Sequence, residues 1–270
     1  APMGKAYTDI LREGYENGWI DVVANANKRS GAYSWGAYGT HPYVLLNQQD
    51  DLDSMFTLAH EMGHAIHTYC SDKTQAYRYS GYLIFVAEVA STCNECLLNH
   101  YLLEHETEAK NRNYILNHYL ENFRTTLFRQ TMFAEFEKIV HEKTALGESL
   151  TKDELNKIYH DLNVRYYGPD VVVDNEIDYE WMRIPHFYTA FYVYQYATGF
   201  SAAVAFSKKI LEEGQPAVDR YVKEFLSGGC SKDPIDLLAA AGVDMSTPHP
   251  VEDALSVFAK YLDEFEKQMA

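Results

Sequence analysis

Four residues able to ligate a metal or move a proton fall within eight positions of the stretch TLAHEMGHAIHTYC: His60, Glu61, His64 and His67. On an α-helix, positions i and i+4 stand one above the other. His60 and His64 can therefore reach a single point. Glu61 lies about 100° around the helix from His60. Two neutral imidazoles suit a zinc ion, which lowers the pKa of its water to about 7, and a carboxylate beside the first ligand can take the proton. Glu61 is thus a candidate general base. His67 shares the histidine face but stands about 10 Å along a straight helix from His60. The three cannot share one ion, so His67 either steadies a ligand or packs.

A catalytic zinc needs three protein ligands and one open position. One known arrangement would require a glycine at position 67 and a histidine at position 70. The chain has His67 and Cys70 there, so that arrangement fails. The alternative is a carboxylate from a following helix. In GYLIFVAEVASTCNECLL, Glu88 and Glu95 interrupt an apolar run. Carboxylates in such runs are seldom buried unless paired or bound to metal. Glu88, Thr92 and Glu95 share one helix face. Glu88 can complete a two-histidine, one-glutamate set. Glu95, two turns on, can hold a ligand imidazole in the right tautomer.

These residues need elements to hold them. Residues 5–17 read as a helix ended at Gly18. Glycines and Pro42 break up SGAYSWGAYGTHPYVLLNQ, which reads as a small β-hairpin or ribbon with its second strand near residues 43–47. The acidic run at residues 50–53 supplies N-cap candidates for the metal-binding helix through Tyr69. Further helices are expected over 82–106, about 110–142, from Thr151 with Glu154 three positions on, and over 188–213, 216–226, 234–241 and 250–268. The expected fold is mostly α, a multi-helix catalytic domain with a small β-ribbon beside the zinc helix. No repeat or linker divides it, so residues 1–270 read as one domain.

Composition narrows the function. The chain of 270 residues is 47% hydrophobic and 23% charged, with a formal net charge of -16. That balance argues against nonspecific binding to nucleic acid or anionic lipid. No long apolar run suggests a membrane span. Four cysteines, Cys70, Cys93, Cys96 and Cys230, are too few for a disulfide scaffold. The lone Cys93–Cys96 pair is a weak metal or redox signal. Reduced thiols and a cytoplasmic location are the expectation.

The pattern HEMGH, with Glu88 following His64 by 24 positions in FVAEVASTCNE, resembles the oligoendopeptidase F branch of the thimet oligopeptidase family. RSGAYSWGAYGTHPYVLLN and RIPHFYTAFYVYQYATGFSAA resemble segments of that branch before and after the zinc helix. The resemblance implies one zinc on His60, His64 and Glu88, Glu61 as base, and hydrolysis of internal bonds in short peptides within a confined channel. It implies that His186 and the tyrosines after it hydrogen-bond the scissile carbonyl and substrate backbone. A neutral phenol is a suitable donor to an oxyanion, and Tyr188, Tyr192 and Tyr194 are candidates, with Tyr194 matching the pattern best. Members of that branch are about twice as long, so the chain resembles their C-terminal catalytic half, with an N-terminal half as the other channel wall. A strand edge at residues 36–43 is a candidate for pairing with extended peptide. Two alternatives stand beside this reading. One is an exopeptidase on the same site, with Arg183 gripping a substrate carboxylate. The other is a zinc- and peptide-binding fragment without turnover.

Overall fold

A computed structural model of the chain describes residues 2–269. Its elements are α1 (Gly4–Glu16), β1 (Ile20–Asp21), β2 (Tyr33–Trp35), β3 (Tyr43–Leu45), α2 (Leu52–Thr74), α3 (Tyr77–Ser80), α4 (Ile84–His105), α5 (Ala109–Asn122), α6 (Arg129–Ala145), α7 (Lys152–Tyr167), α8 (Tyr194–Glu213), α9 (Gln215–Arg220), α10 (Pro234–Ala240) and α11 (His249–Met269). π-Helical turns at Phe123–Phe128 and Tyr221–Leu226 and 3-10 turns at Asn175–Arg183 and Pro185–Tyr188 join some of them. The fold is mostly α with one small sheet, as expected. The chain divides into two compact units, Ala1–Tyr119 with Gly199–Ala270, and Leu120–Thr198.

In the first unit, α2 begins where Asp51 accepts a hydrogen bond from the Ser54 backbone N–H at 2.8 Å. Asp53 in the first turn and Lys73 in the last match the helix dipole. The helix buries Phe56, Met62, Ala65 and Ile66. Helix α4 carries apolar residues on most sides, and Val86, Val89, Ala90, Cys93, Cys96 and Leu97 are all buried. A helix of that pattern belongs inside a core. Its partners include Ile66, Ala202, Phe206, Ile210, Tyr221 and Phe225, and each large side chain there contributes roughly 1.5–3 kcal/mol by leaving water.

Helices α2 and α4 run antiparallel. The Ala59 carbonyl accepts from Asn94 Nδ2, while Gly63 lies against Ala90 and Ser91. The contact at Gly63 is backbone to backbone. A Cβ there would stand 2.6 Å from Ser91 Cα and 2.8 Å from the Ala90 carbonyl oxygen. Only glycine permits that approach.

The sheet has the order β1-β3-β2. Strand β1 pairs parallel to β3 with Ile20 opposite Val44, and β2 pairs antiparallel with Ser34 opposite Val44. Val44 and Leu46 pack with Trp19, Met62 and Ala65, which seats the sheet on α2. The sequence suggests a two-stranded ribbon. Strand β1 escapes notice because two residues are too few to show alternation. The expected edge also shifts. Strand β3 is paired on both sides, so the outer strands are β1 and β2, and residues 36–42 lie between β2 and β3.

In the second unit, α6 and α7 enclose Phe133, Phe136, Tyr159, Leu162, Ile184 and Val193. Helix α7 opens with a complete capping box, Thr151 accepting from the Glu154 N–H and Glu154 from the Thr151 N–H. Helix α8 starts at Tyr194 and not at 188, because Phe191 has a φ of 58°. That left-handed conformation cannot be part of a right-handed helix. Among the described residues no helix is long and apolar enough to cross a membrane.

Candidate active site

The antiparallel pair α2 and α4 brings His60, His64 and Glu88 together, and this trio could hold a metal ion. His60 Nε2 and His64 Nε2 are 3.2 Å apart. Glu88 Oε2 lies 3.3 Å from the first and 3.6 Å from the second. Zinc bonds of about 2.0–2.1 Å in a tetrahedron require ligand atoms about 3.3 Å apart. The three side chains therefore describe a triangle of the right size for zinc, and two imidazoles with one carboxylate are a fitting donor set.

Glu95 occupies the other side of His60. Its carboxylate accepts from His60 Nδ1 at 2.5 Å. That bond leaves Nε2 facing Glu88 and fixes the ring, as a partner behind a ligand histidine should. Glu61 is 7% exposed, and its Oε2 has no hydrogen-bond partner among the described residues.

Electrostatics follow from this crowding. Burial disfavours a charged His60, but hydrogen bonds to Glu88 and Glu95 and their charges outweigh it, raising the imidazole pKa to about 10. Burial likewise opposes the Glu88 anion, yet hydrogen bonds from His60 and His64 hold its carboxyl well below the usual carboxylate range. Burial raises the Glu61 pKa above its ordinary value, with His60 and His64 pulling the other way. A raised carboxyl pKa suits a group that takes up and returns a proton.

His67 makes no hydrogen bond through either ring nitrogen to any described residue. Its ring stacks on Tyr82 at 3.7 Å and 6°, and burial pushes its pKa down to about 3. Of the two roles the sequence leaves open, this geometry fits packing. Tyr82 in turn hydrogen-bonds Thr68 on α2 at 2.9 Å.

In the second unit, His186 sits in the 3-10 turn at Pro185–Tyr188. Its ring stacks on Tyr192 with centroids 5.6 Å apart, and its Nε2 is 3.3 Å from the Tyr196 hydroxyl. Tyr192 and Tyr196 meet edge-on at 5.5 Å. Tyr188 is 89% exposed and Tyr194 40% exposed. The structure thus groups His186 with Tyr192 and adds Tyr196, which the sequence pattern does not single out. Tyr196 lies in the same aromatic run, but only the turn at Phe191 reveals which tyrosine returns to His186.

The helical scaffold presents two histidines and a glutamate that could hold a metal ion, and the chain belongs to peptidase family M3, whose profile matches residues 4–257. Over 267 residues it is 57% identical to Oligopeptidase PepF of Bacillus subtilis (strain 168), covering 99% of this chain and 40% of that protein. It is 46% identical to the chromosomal Oligoendopeptidase F of Lactococcus lactis subsp. cremoris, covering 99% of this chain and 44% of that one. The crystal structure of oligoendopeptidase-F from Enterococcus faecium superposes with a TM-score of 0.76 at 40% identity, over 99% of this chain and 41% of that one. The chain spans less than half the length of these relatives.

Proposed function

We propose that this protein is a zinc-dependent oligoendopeptidase that hydrolyses internal bonds of short peptides. The observation that carries the reading is the triangle of His60 Nε2, His64 Nε2 and Glu88 Oε2, with sides of 3.2, 3.3 and 3.6 Å. Zinc held there by His60, His64 and Glu88 would supply a Lewis acid for water and the scissile carbonyl. Glu61 takes the water's proton and returns it to the leaving amine. Glu95 keeps His60 in the tautomer whose Nε2 faces the ion. Among the aromatic candidates, His186, Tyr192 and Tyr196 have the mutual contacts that would orient a hydrogen-bond donor, whereas Tyr188 and Tyr194 are the more exposed.

The free edge of β2 is the favoured place for an extended peptide to pair through its main chain. Trp35 on that strand is 73% exposed. The relatives' names, oligopeptidase and oligoendopeptidase, agree with short peptides as substrates. Residues 1–270 would then act as one catalytic domain, and the further length of the relatives would supply the opposite channel wall. A cytoplasmic location belongs to the same proposal.

The exopeptidase alternative would need Arg183 to leave its present partner. Arg183, its candidate carboxylate clamp, is ion-paired with Glu180. The test combines metal analysis of the protein with mass spectrometry of a short-peptide library blocked at both ends. Bound zinc and cleavage at internal bonds are expected. Trimming confined to unblocked peptides would establish the exopeptidase instead, and peptide binding without products would establish a non-catalytic module.

A further inference from the structure

Phe191 poses a physical problem in the second unit. It is a non-glycine residue in the left-handed region, with a φ of 58°. Its side chain is 53% exposed. Core packing therefore does not force the conformation, although the ring leans on His141 at 4.7 Å. Something else must hold this backbone. Its N–H donates to Glu137 Oε1 at 2.7 Å. Glu137 lies on α6, is only 5% exposed, and adjoins Phe136 of the local core. A carboxylate is rarely buried without a task, and a hydrogen bond to a charged acceptor is among the stronger kinds.

The segment held this way runs from His186 to Tyr196. Its two flanks are anchored in the core by Ile184 and Val193, with Phe187 packed against that core. Between them the chain must reverse at Phe191 for Tyr192 to stack on His186 and for the Tyr196 hydroxyl to reach His186 Nε2. A residue at φ 58° that lost its anchor would relax toward the negative φ that L-residues prefer. The turn would open, and the ring contacts around His186 would go with it. Strain of this sort, held by a dedicated partner, gathers at functional sites.

We infer that Glu137 is a positioning residue: its buried carboxylate clamps the Phe191 turn and so sets the geometry of His186, Tyr192 and Tyr196. The inference rests on the reading of those three as substrate-facing donors. Displacing such a donor by about 1 Å costs on the order of 10²-fold in rate.

The experiment compares Glu137→Leu, Glu137→Gln and the double variant Glu137→Leu with Phe191→Gly, all made in the full chain. Glu137→Leu should lower kcat on the order of 10²-fold while bound metal stays at the parent level. It should also speed hydrogen exchange of the Phe191 amide. Glu137→Gln keeps an acceptor oxygen and should stay near the parent in both. Glycine adopts positive φ freely, so Phe191→Gly should restore much of the kcat lost in Glu137→Leu. A general loss of folding would not be rescued by adding a glycine. His186→Ala, measured alongside, separates the two ideas. If it leaves kcat unchanged, the donor reading falls. If it lowers kcat while Glu137→Leu matches the parent in kcat and Phe191 exchange, the clamp is wrong. Failure of Phe191→Gly to restore any kcat also overturns it.

Discussion

Replacing Gly63 by alanine sets two opposed effects against each other at the heart of the candidate metal site. Gly63 lies inside α2, where alanine is favoured over glycine by about 1 kcal/mol. On propensity alone Gly63→Ala should stabilise the protein. The structure predicts the reverse. The new methyl would sit 2.6 Å from Ser91 Cα and 2.8 Å from the Ala90 carbonyl oxygen, both backbone atoms that cannot swing aside. Ordinary contact starts at 3.4 Å, so α2 and α4 must separate by about 0.8 Å at this point. Overpacking of this kind costs about 1–3 kcal/mol and more where backbone must move. We expect a net loss of about 2 kcal/mol, a fall in Tm on the order of 4–8 °C. The ligands suffer more. His64 and Glu88 lie on either side of the contact, one on each helix, and metal–ligand distances tolerate only about 0.2 Å. Zinc affinity should drop at least roughly tenfold. Thermal melts of the metal-free protein isolate the packing effect, and competition with a chromophoric chelator reads the affinity. A variant that melts higher than the parent and binds zinc equally well would refute the close-approach argument.

Other outcomes follow from the same geometry. Glu61→Gln should retain zinc and lose nearly all turnover, because Glu61 stands beside the cluster without belonging to the triangle; near-parent cleavage of peptides would reject it as the base. Glu88→Ala should abolish stable metal binding, whereas Glu95→Ala should weaken it by about 10–100-fold through the freed His60 ring; metal stoichiometry after dialysis distinguishes them, and the opposite ranking would exchange their roles. Zinc loading should release a proton near pH 8, because His60, with its pKa raised to about 10, must give one up to ligate. The sign is that of a raised folded-state pKa: the proton's contribution to the metal-free fold is complete below about 6.5 and disappears as pH climbs through about 10. Titration calorimetry in buffers of different ionisation enthalpy measures the release, and a proton count of zero at pH 8 would contradict it.

Much of the candidate metal site is legible in the sequence because it is local. The i, i+4 pair His60 and His64, and Glu88 and Glu95 at i and i+7, follow from helix geometry once the apolar pattern marks both helices. What a pattern cannot supply is the register between helices. Nothing in the string FVAEVASTCNE states that Glu95 meets Nδ1 of His60 while Glu88 meets its Nε2; the contact at Gly63 settles that. The sheet was only half readable, since β1 pairs parallel to a strand more than twenty positions later through two residues. The aromatic segment is the least legible. Tyr196 becomes His186's partner through a positive φ at a phenylalanine, a residue type that gives no warning of one.

The antiparallel pair α2 and α4 also has a meaning in time. All the residues of the metal triangle, and Glu95 behind it, fall within one helical hairpin, between positions 60 and 95. Contacts so near in sequence close small loops, and small loops form early and cheaply during folding. The glycine contact and the apolar faces can assemble this hairpin before any ion arrives. An ion that joins it later bridges a short loop and removes little chain entropy from the unfolded state. A metal bound there would act on a nearly finished fold, and its loading should then be reversible without unfolding of the chain.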